Sequence, residues 1–219
     1  MPITLDNPSP EPNSKGAQRI KDLTRIAAEL FLERGFEAVA VDDLIAKAGG
    51  SRRNIYSHFG GKDGLFVEAI QQLCAELSEP ITQLVIDSED FRHGLETFGH
   101  ALLRAVLAPR TLELHRLMIA EGKRFPELAQ TIYFKGHMQS AEVLSRWIAG
   151  RQAAGLDLSC THLLPLNLAR QFVSLLVAEP QLRALTGIMA VPIPEAEARN
   201  IVSMAVDVFL KGTSIPRAI

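Results

Sequence analysis

From Ile20 to Leu210 the apolar residues of this chain recur every three or four positions. That period places them on one face of an α-helix. A half-buried strand would alternate every second residue, and no sustained alternation occurs. Ile20, Leu23, Ala27, Leu30 and Phe31 define a first helix, with Gly35 as its C-cap. Val41, Leu44, Ile45 and Ala48 make a short second stripe, stopped by Gly49. Ser51 is placed to cap a third helix, whose inward pair is Ile55 and Phe59 at i, i+4. A fourth opens near Lys62 and turns Leu65, Phe66, Ala69, Ile70, Leu73 and Leu77 inward as far as Pro80. Longer stripes follow: Phe91 to Val106, ended by Pro109; Leu112 to Ile119; a long helix begun by Pro126 and reaching toward Gly150 or Gly155; Leu163 to Val177; and Pro194 to Leu210. The pattern predicts an all-α protein of roughly nine or ten helices. No fixed-period repeat interrupts it.

The chain has 219 residues, 47% of them hydrophobic, enough for a small domain attached to a larger one. Residues 1–14 hold four prolines and little to bury, and read as a disordered tail. Two cysteines, Cys74 and Cys160, cannot build a disulfide framework or a four-ligand zinc site. Two buried thiols packing as small hydrophobes in a reducing, cytoplasmic setting is the expectation. No uninterrupted apolar run approaches a membrane span, so neither a membrane helix nor a membrane partner is expected.

Net charge is −2, but it is unevenly spread. Between Lys15 and Lys62 nine basic residues face six acidic ones, a net +3 that leaves −5 for the rest. A segment of one sign points to a polyanion as its partner. Within it, Gly49 can reverse the chain between two short helices, which is the grammar of a helix-turn-helix. With Ile55 and Phe59 pinned inward, Arg52, Arg53, Asn54, Tyr56 and His58 are left to face outward. Arg pairs with guanine and Asn with adenine, while Tyr and His reach phosphate. Lys62 opens the next helix, where its charge opposes the dipole and a nearby phosphate would offset that.

Residues 20–70 resemble the DNA-binding domain of the TetR family of bacterial transcriptional regulators. The matching pattern is Ile26-Ala27, Leu30-Phe31, Gly35-Phe36, Val41, Leu44, Ala48-Gly49, Ser51, Ile55-Tyr56, Phe59, Lys62 and Leu65-Phe66. A second stretch, Arg116 to Glu121 followed by Arg124 to Leu128, looks like the ligand-domain signature of an AcrR-like subgroup. The resemblance implies a homodimer that lays its third helices in the major groove of a palindromic double-stranded DNA operator. It implies a DNA-binding domain over 15–61 and an effector-binding and dimerisation domain over 62–219. Effector binding would weaken DNA affinity, as in a repressor. By position, Tyr56 and Lys62 match family phosphate contacts, Arg52, Arg53 and Asn54 the base-reading start of the recognition helix, and His58 a groove or phosphate contact. Three departures stand out. Ala40 replaces a usual Thr or Ser cap, with Asp42 and Asp43 available to stabilise the helix start instead; Gly50 replaces a hydrophobic turn residue; Arg53 replaces a small one.

Other chemistries fit less well. Gly61-Lys62 lacks the Walker A pattern, since Tyr56 stands where a glycine is needed and Asp63 where Ser or Thr is. No nucleotide or other cofactor is therefore expected. His93, His100 and His115 lack the i, i+4 spacing of a helical metal pair, so no metal is expected either. No nucleophile–base arrangement marks an enzyme. An architectural DNA-binding protein without an effector, or a helical enzyme, are the alternatives.

For an apolar or aromatic effector, the candidate residues are Phe98, Leu102, His115, Met118, Tyr133, His137, Trp147 and Phe172. Phe125, Phe134 and Met138 are further apolar candidates, and Arg104 and Arg116 further polar ones. Each apolar member could equally fill core. For the dimer, the stripes Leu163, Leu164, Leu168, Phe172, Leu175 and Leu176, and Ile201, Met204, Ala205, Val208 and Phe209, are the candidates on the last two long helices.

Overall fold

The computed structural model describes residues 15–156 and 163–214. The expected tail and Cys160 lie outside the described residues. In chain order the helices are α1 (Lys15–Ala38), α2 (Val41–Ala48), α3 (Arg52–Phe59), α4 (Lys62–Thr82), α5 (Phe91–Val106), α6 (Pro109–Glu121), α7 (Pro126–Ile132), α8 (Gln139–Ala153), α9 (Pro165–Leu185) and α10 (Glu195–Ser214). No strand occurs among the described residues. The chain divides into two compact units, one ending at Gln72 and one beginning at Leu73.

The division falls inside α4, not at its start near residue 62, and the packing of the first unit explains why. Phe66 of α4 meets Phe31 and Phe36 edge-on, each with ring centroids 4.9 Å away. Leu65, Ala69 and Ile70 are buried beside them. Lower on α4, Gln72 Oε1 accepts a 2.6 Å hydrogen bond from the buried Thr24 hydroxyl of α1. The first turns of α4 thus complete the small core of α1–α3, which could not bury these rings alone.

The second unit is built around Phe98, Phe172 and Phe209, from α5, α9 and α10. Two glycines of α5 set its packing distances. A Cβ on Gly94 would lie 2.0 Å from the Trp147 ring, and one on Gly99 would lie 2.9 Å from Val202 Cγ1. Trp147 instead stacks on Phe91, with centroids 5.1 Å apart, and donates from Nε1 to the Ser88 carbonyl at 3.3 Å.

Prolines proved weaker punctuation than expected. α4 continues through Pro80 and α9 through a buried Pro180, each accepting one missing backbone hydrogen bond. For α9 the extension carries Ala184 into the core. The long helix begun by Pro126 is also not uniform. Between α7 and α8 the stretch Tyr133–Met138 is π-helical, a wider winding that accommodates an irregular stretch within a helix.

Candidate functional site

In the first unit, α2 and α3 form the expected helix-turn-helix. Gly49 and Gly50 make the turn at φ 74° and 105°, values that an L side chain rarely adopts. Gly50 therefore takes the place of a hydrophobic residue in a conformation that suits glycine. Ser51 Oγ accepts from the Asn54 amide at 3.3 Å, the cap that starts α3 and is worth about 1 kcal/mol. At the start of α2, where Ala40 offers no side-chain cap, the Asp43 carboxylate accepts from the Ala40 amide at 3.2 Å. Ile55 is 1% exposed and Phe59 half-buried, which fixes the face that α3 turns inward.

The opposite face is open. Arg52, Arg53, Asn54, Tyr56 and His58 are all exposed, and Tyr56 is 59% exposed despite its ring. That ring lies over Gly61, where a Cβ would come within 3.4 Å of Tyr56 Cε1. Lys62 is half-buried: its Nζ donates to the Glu37 carbonyl at 3.4 Å and lies 4.2 Å from the Phe36 ring centroid. Asp42 lies in the first turn of α2, where its charge complements the helix dipole, and its carboxylate also takes Arg52. Arg52 Nε donates to Asp42 Oδ1 at 3.0 Å and Nη2 donates to Oδ2. This hydrogen-bonded carboxylate raises the Arg52 guanidinium further above its ordinary value. One requirement was missed in the sequence: a Cβ on Gly64 would meet the Phe59 carbonyl oxygen at 1.8 Å, so the α3–α4 junction requires glycine there.

The second unit holds a cavity of about 370 Å³, within the range of small-molecule sites. Of the expected effector residues, Leu102, His115, Tyr133 and His137 line it. Phe98, Met118, Trp147 and Phe172 do not. Phe98 and Phe172 are core rings, Trp147 is occupied by Phe91 and Ser88, and Met118 is buried outside the cavity wall. Phe125, Phe134, Met138 and Arg104 likewise lie off it. Arg116 is not a cavity group: it caps the C-terminus of α9 by donating to the carbonyls of Ala184 at 2.9 Å and Leu185 at 3.3 Å. Residues the sequence did not suggest complete the wall, among them Cys74, Ser78, Ile81, Ser140, Val177 and Gln181.

A polar relay marks one end of this cavity. His115 Nδ1 lies 2.8 Å from the Thr111 carbonyl, which can only accept, so Nδ1 carries the proton. In the neutral ring Nε2 then accepts from the Gln181 amide nitrogen at 3.4 Å. That leaves Gln181 Oε1 as an acceptor at the wall. Ser78 donates its hydroxyl to the Cys74 carbonyl within α4, and Ser140 donates to the Gly136 carbonyl of the π-helical stretch, at 2.7 Å each. Tyr133 stacks on His137 with centroids 5.7 Å apart, a flat wall supplied by the π-helical stretch. Burial lowers the His137 imidazole below its ordinary value, and the charge of Arg170 acts in the same direction. Burial also pushes the Cys74 thiol up to about 11. None of the lining residues is Lys, Arg, Asp or Glu.

Comparison with known proteins agrees with both halves. Residues 23–69 match the family described as bacterial regulatory proteins, tetR family. Residues 93–212, more than half the chain, match the C-terminal domain of AefR-like transcriptional repressors. The chain belongs to the TetR family. It is thus a DNA-binding transcriptional regulator of helix-turn-helix type, in a family of regulators that are not enzymes. A TetR-family structure from Mesorhizobium loti superposes with a TM-score of 0.81 at 21% identity, covering 93% of this chain and 100% of that one. The flavonoid-responsive regulator FrrA gives 0.72 at 26% identity, covering 92% and 99%. The transcriptional regulator SrpR of Pseudomonas putida is 29% identical over 105 residues, 48% of this chain and 46% of that protein. The match therefore spans less than half the length of that curated relative. No helix among the described residues is long and apolar enough to cross a membrane.

Proposed function

We propose that this TetR-family regulator is a homodimeric repressor that leaves a palindromic operator when a small aromatic molecule fills the cavity of its second unit. The observation that carries the DNA half is α3 itself, with Ile55 buried and Arg52, Arg53, Asn54, Tyr56 and His58 on the outer face. Arg52, Arg53 and Asn54 read base edges, while Tyr56, Lys62 and His58 engage phosphates or the groove. The matched AefR-like repressor description supports the sign of regulation. In a mobility-shift assay at fixed salt, on duplex DNA flanking the protein's own gene, Arg53→Ala or Tyr56→Ala weakens binding about fivefold or more while light scattering still finds a dimer. Unchanged affinity would remove these residues from the interface.

For the effector, the cavity combines an apolar wall, the flat Tyr133–His137 pair and the Gln181 acceptor. A planar aromatic molecule bearing a hydroxyl fits that chemistry, and the similarity to a flavonoid-responsive regulator supports the class. Binding would favour a conformer whose two recognition helices no longer match half-sites about 34 Å apart. For the dimer, the stripes on α9 and α10 split. Leu168, Phe172, Leu176, Ala205 and Phe209 are buried within the unit, whereas Leu164, Leu175, Met204 and Val208 remain exposed. Leu182 extends this outward face at 62% exposed. An apolar face of this kind, left open on two adjacent helices, is what a four-helix contact with a second copy would cover.

A further inference from the structure

Arg52 stands at the first turn of the recognition helix and Asp42 at the first turn of α2, and the turn between them brings their side chains together. The contact is two-pronged, Nε to Oδ1 and Nη2 to Oδ2, and both side chains are 66% exposed. A pair so open to water contributes little to stability, so holding the fold together does not explain it. Its geometry does something else. A guanidinium has five N–H donors arranged in a planar fork. The Nε–Nη2 side edge is taken by Asp42. The end edge, one N–H on each Nη, is left free and is held in a fixed plane. That end edge presents two parallel N–H donors that can fork onto O6 and N7 of guanine.

We infer that Asp42 is a positioning residue for base reading, fixing the Arg52 guanidinium so that its end edge addresses guanine and not the neighbouring phosphates. The inference rests on α3 being the recognition helix. An unrestrained arginine at this place would gain charge-driven contacts with any phosphate in reach, which carry no sequence information. The Asp42 carboxylate opposes that in two ways. It occupies one of the two-donor edges that could otherwise fork onto a phosphate, and its own negative charge is repelled by the DNA backbone. The lost non-specific affinity is exchanged for discrimination. Asp43, next in sequence, has a different partner: it caps Ala40 and lies 3.9 Å from Arg34. The two adjacent acids are thereby divided between starting α2 and steering Arg52.

The test is selection from a randomised duplex library by the full-length protein, with sequencing of the bound fraction, for the parent and for Arg52→Ala, Asp42→Ala, Asp42→Asn and Asp43→Ala. The parent gives a two-fold symmetric motif. Arg52→Ala lowers guanine preference at one position of each half-site by about fivefold or more. Asp42→Ala lowers it at that same position by about two- to threefold and raises affinity for unrelated duplex DNA, since a negative charge is gone. Asp42→Asn, which keeps one acceptor oxygen, falls between. Asp43→Ala lowers the melting temperature without changing the base profile. The inference is overturned if Asp42→Ala leaves the profile intact, if its change falls at a different position from that of Arg52→Ala, or if Asp43→Ala alters the profile in the same way. A parent that enriches no motif would instead overturn the DNA-reading function, and the inference with it.

Discussion

α3 and α9 offer outward faces of opposite character. α3 is eight residues long, buries Ile55, and presents Arg52, Arg53, Asn54, Tyr56 and His58 to solvent. α9 runs from Pro165 to Leu185, buries Leu168, Phe172, Leu176 and Ala184 among others, and leaves Leu175 and Leu182 exposed. The first face suits a partner made of phosphates and base edges, the second one made of apolar side chains. The contrast teaches how different the cues for function are within one chain. On α3 the residues proposed to contact DNA are the ones that do not pack, so they stand out as polar. On α9 the residues proposed for the dimer face and the core residues are chemically alike, and only position separates them.

The comparison can be broken most severely at α9. Leu175→Glu combined with Val208→Glu places charges on the proposed dimer face; light scattering then finds monomers, and operator affinity falls by orders of magnitude as the second half-site contact is lost. A variant that stayed dimeric would mean that the exposed face serves another purpose. A smaller effect is expected at the edge of α3. Lys62→Ala weakens binding about equally on operator and unrelated duplex, and lowers the slope of log affinity against log salt by about one, as for a single phosphate contact. A changed base preference would instead assign Lys62 to sequence reading.

Within the cavity the effects are chemical. In a Cys160→Ser background, native protein at pH 8 leaves Cys74 unmodified by a disulfide reagent, because burial holds the thiol near 11, and denaturation makes it react. Rapid modification of the folded protein would show that the cavity wall opens freely. The smallest effect concerns His137. Its folded-state value is lowered, so the unfolded chain binds the proton first and stability is lost as pH falls from the ordinary imidazole range through the lowered value. Thermal melts over that range show a decline that His137→Gln reduces; an equal decline in the variant would assign it to other groups.

Much of the first unit was legible in the residues. The glycine turn, the Ser51 cap, the Ile55 anchor and the polar face of α3 depend on contacts within a few positions, and the structure has each of them. The partner of Arg52 was not legible, because it lies on the neighbouring helix beyond the turn. Nor was the glycine at position 64, whose neighbour is a backbone oxygen of the preceding helix. In the second unit the helices themselves were legible, but four of eight expected cavity residues lie elsewhere. Aromatic character marked Phe98, Trp147 and Phe172 as candidates, yet rings fill cores as readily as they line cavities.

The sequence by itself determined the helical class, the family and the place of the helix-turn-helix, because helix periods, caps and turns act over one or two turns of chain. Tertiary structure alone decided three other matters: which apolar residues close the core, which surround an open cavity, and which remain on the surface. Those choices depend on residues such as Thr111, Cys74 and Gln181 meeting across helices far apart in sequence, where hydrophobicity requires burial but does not specify against what.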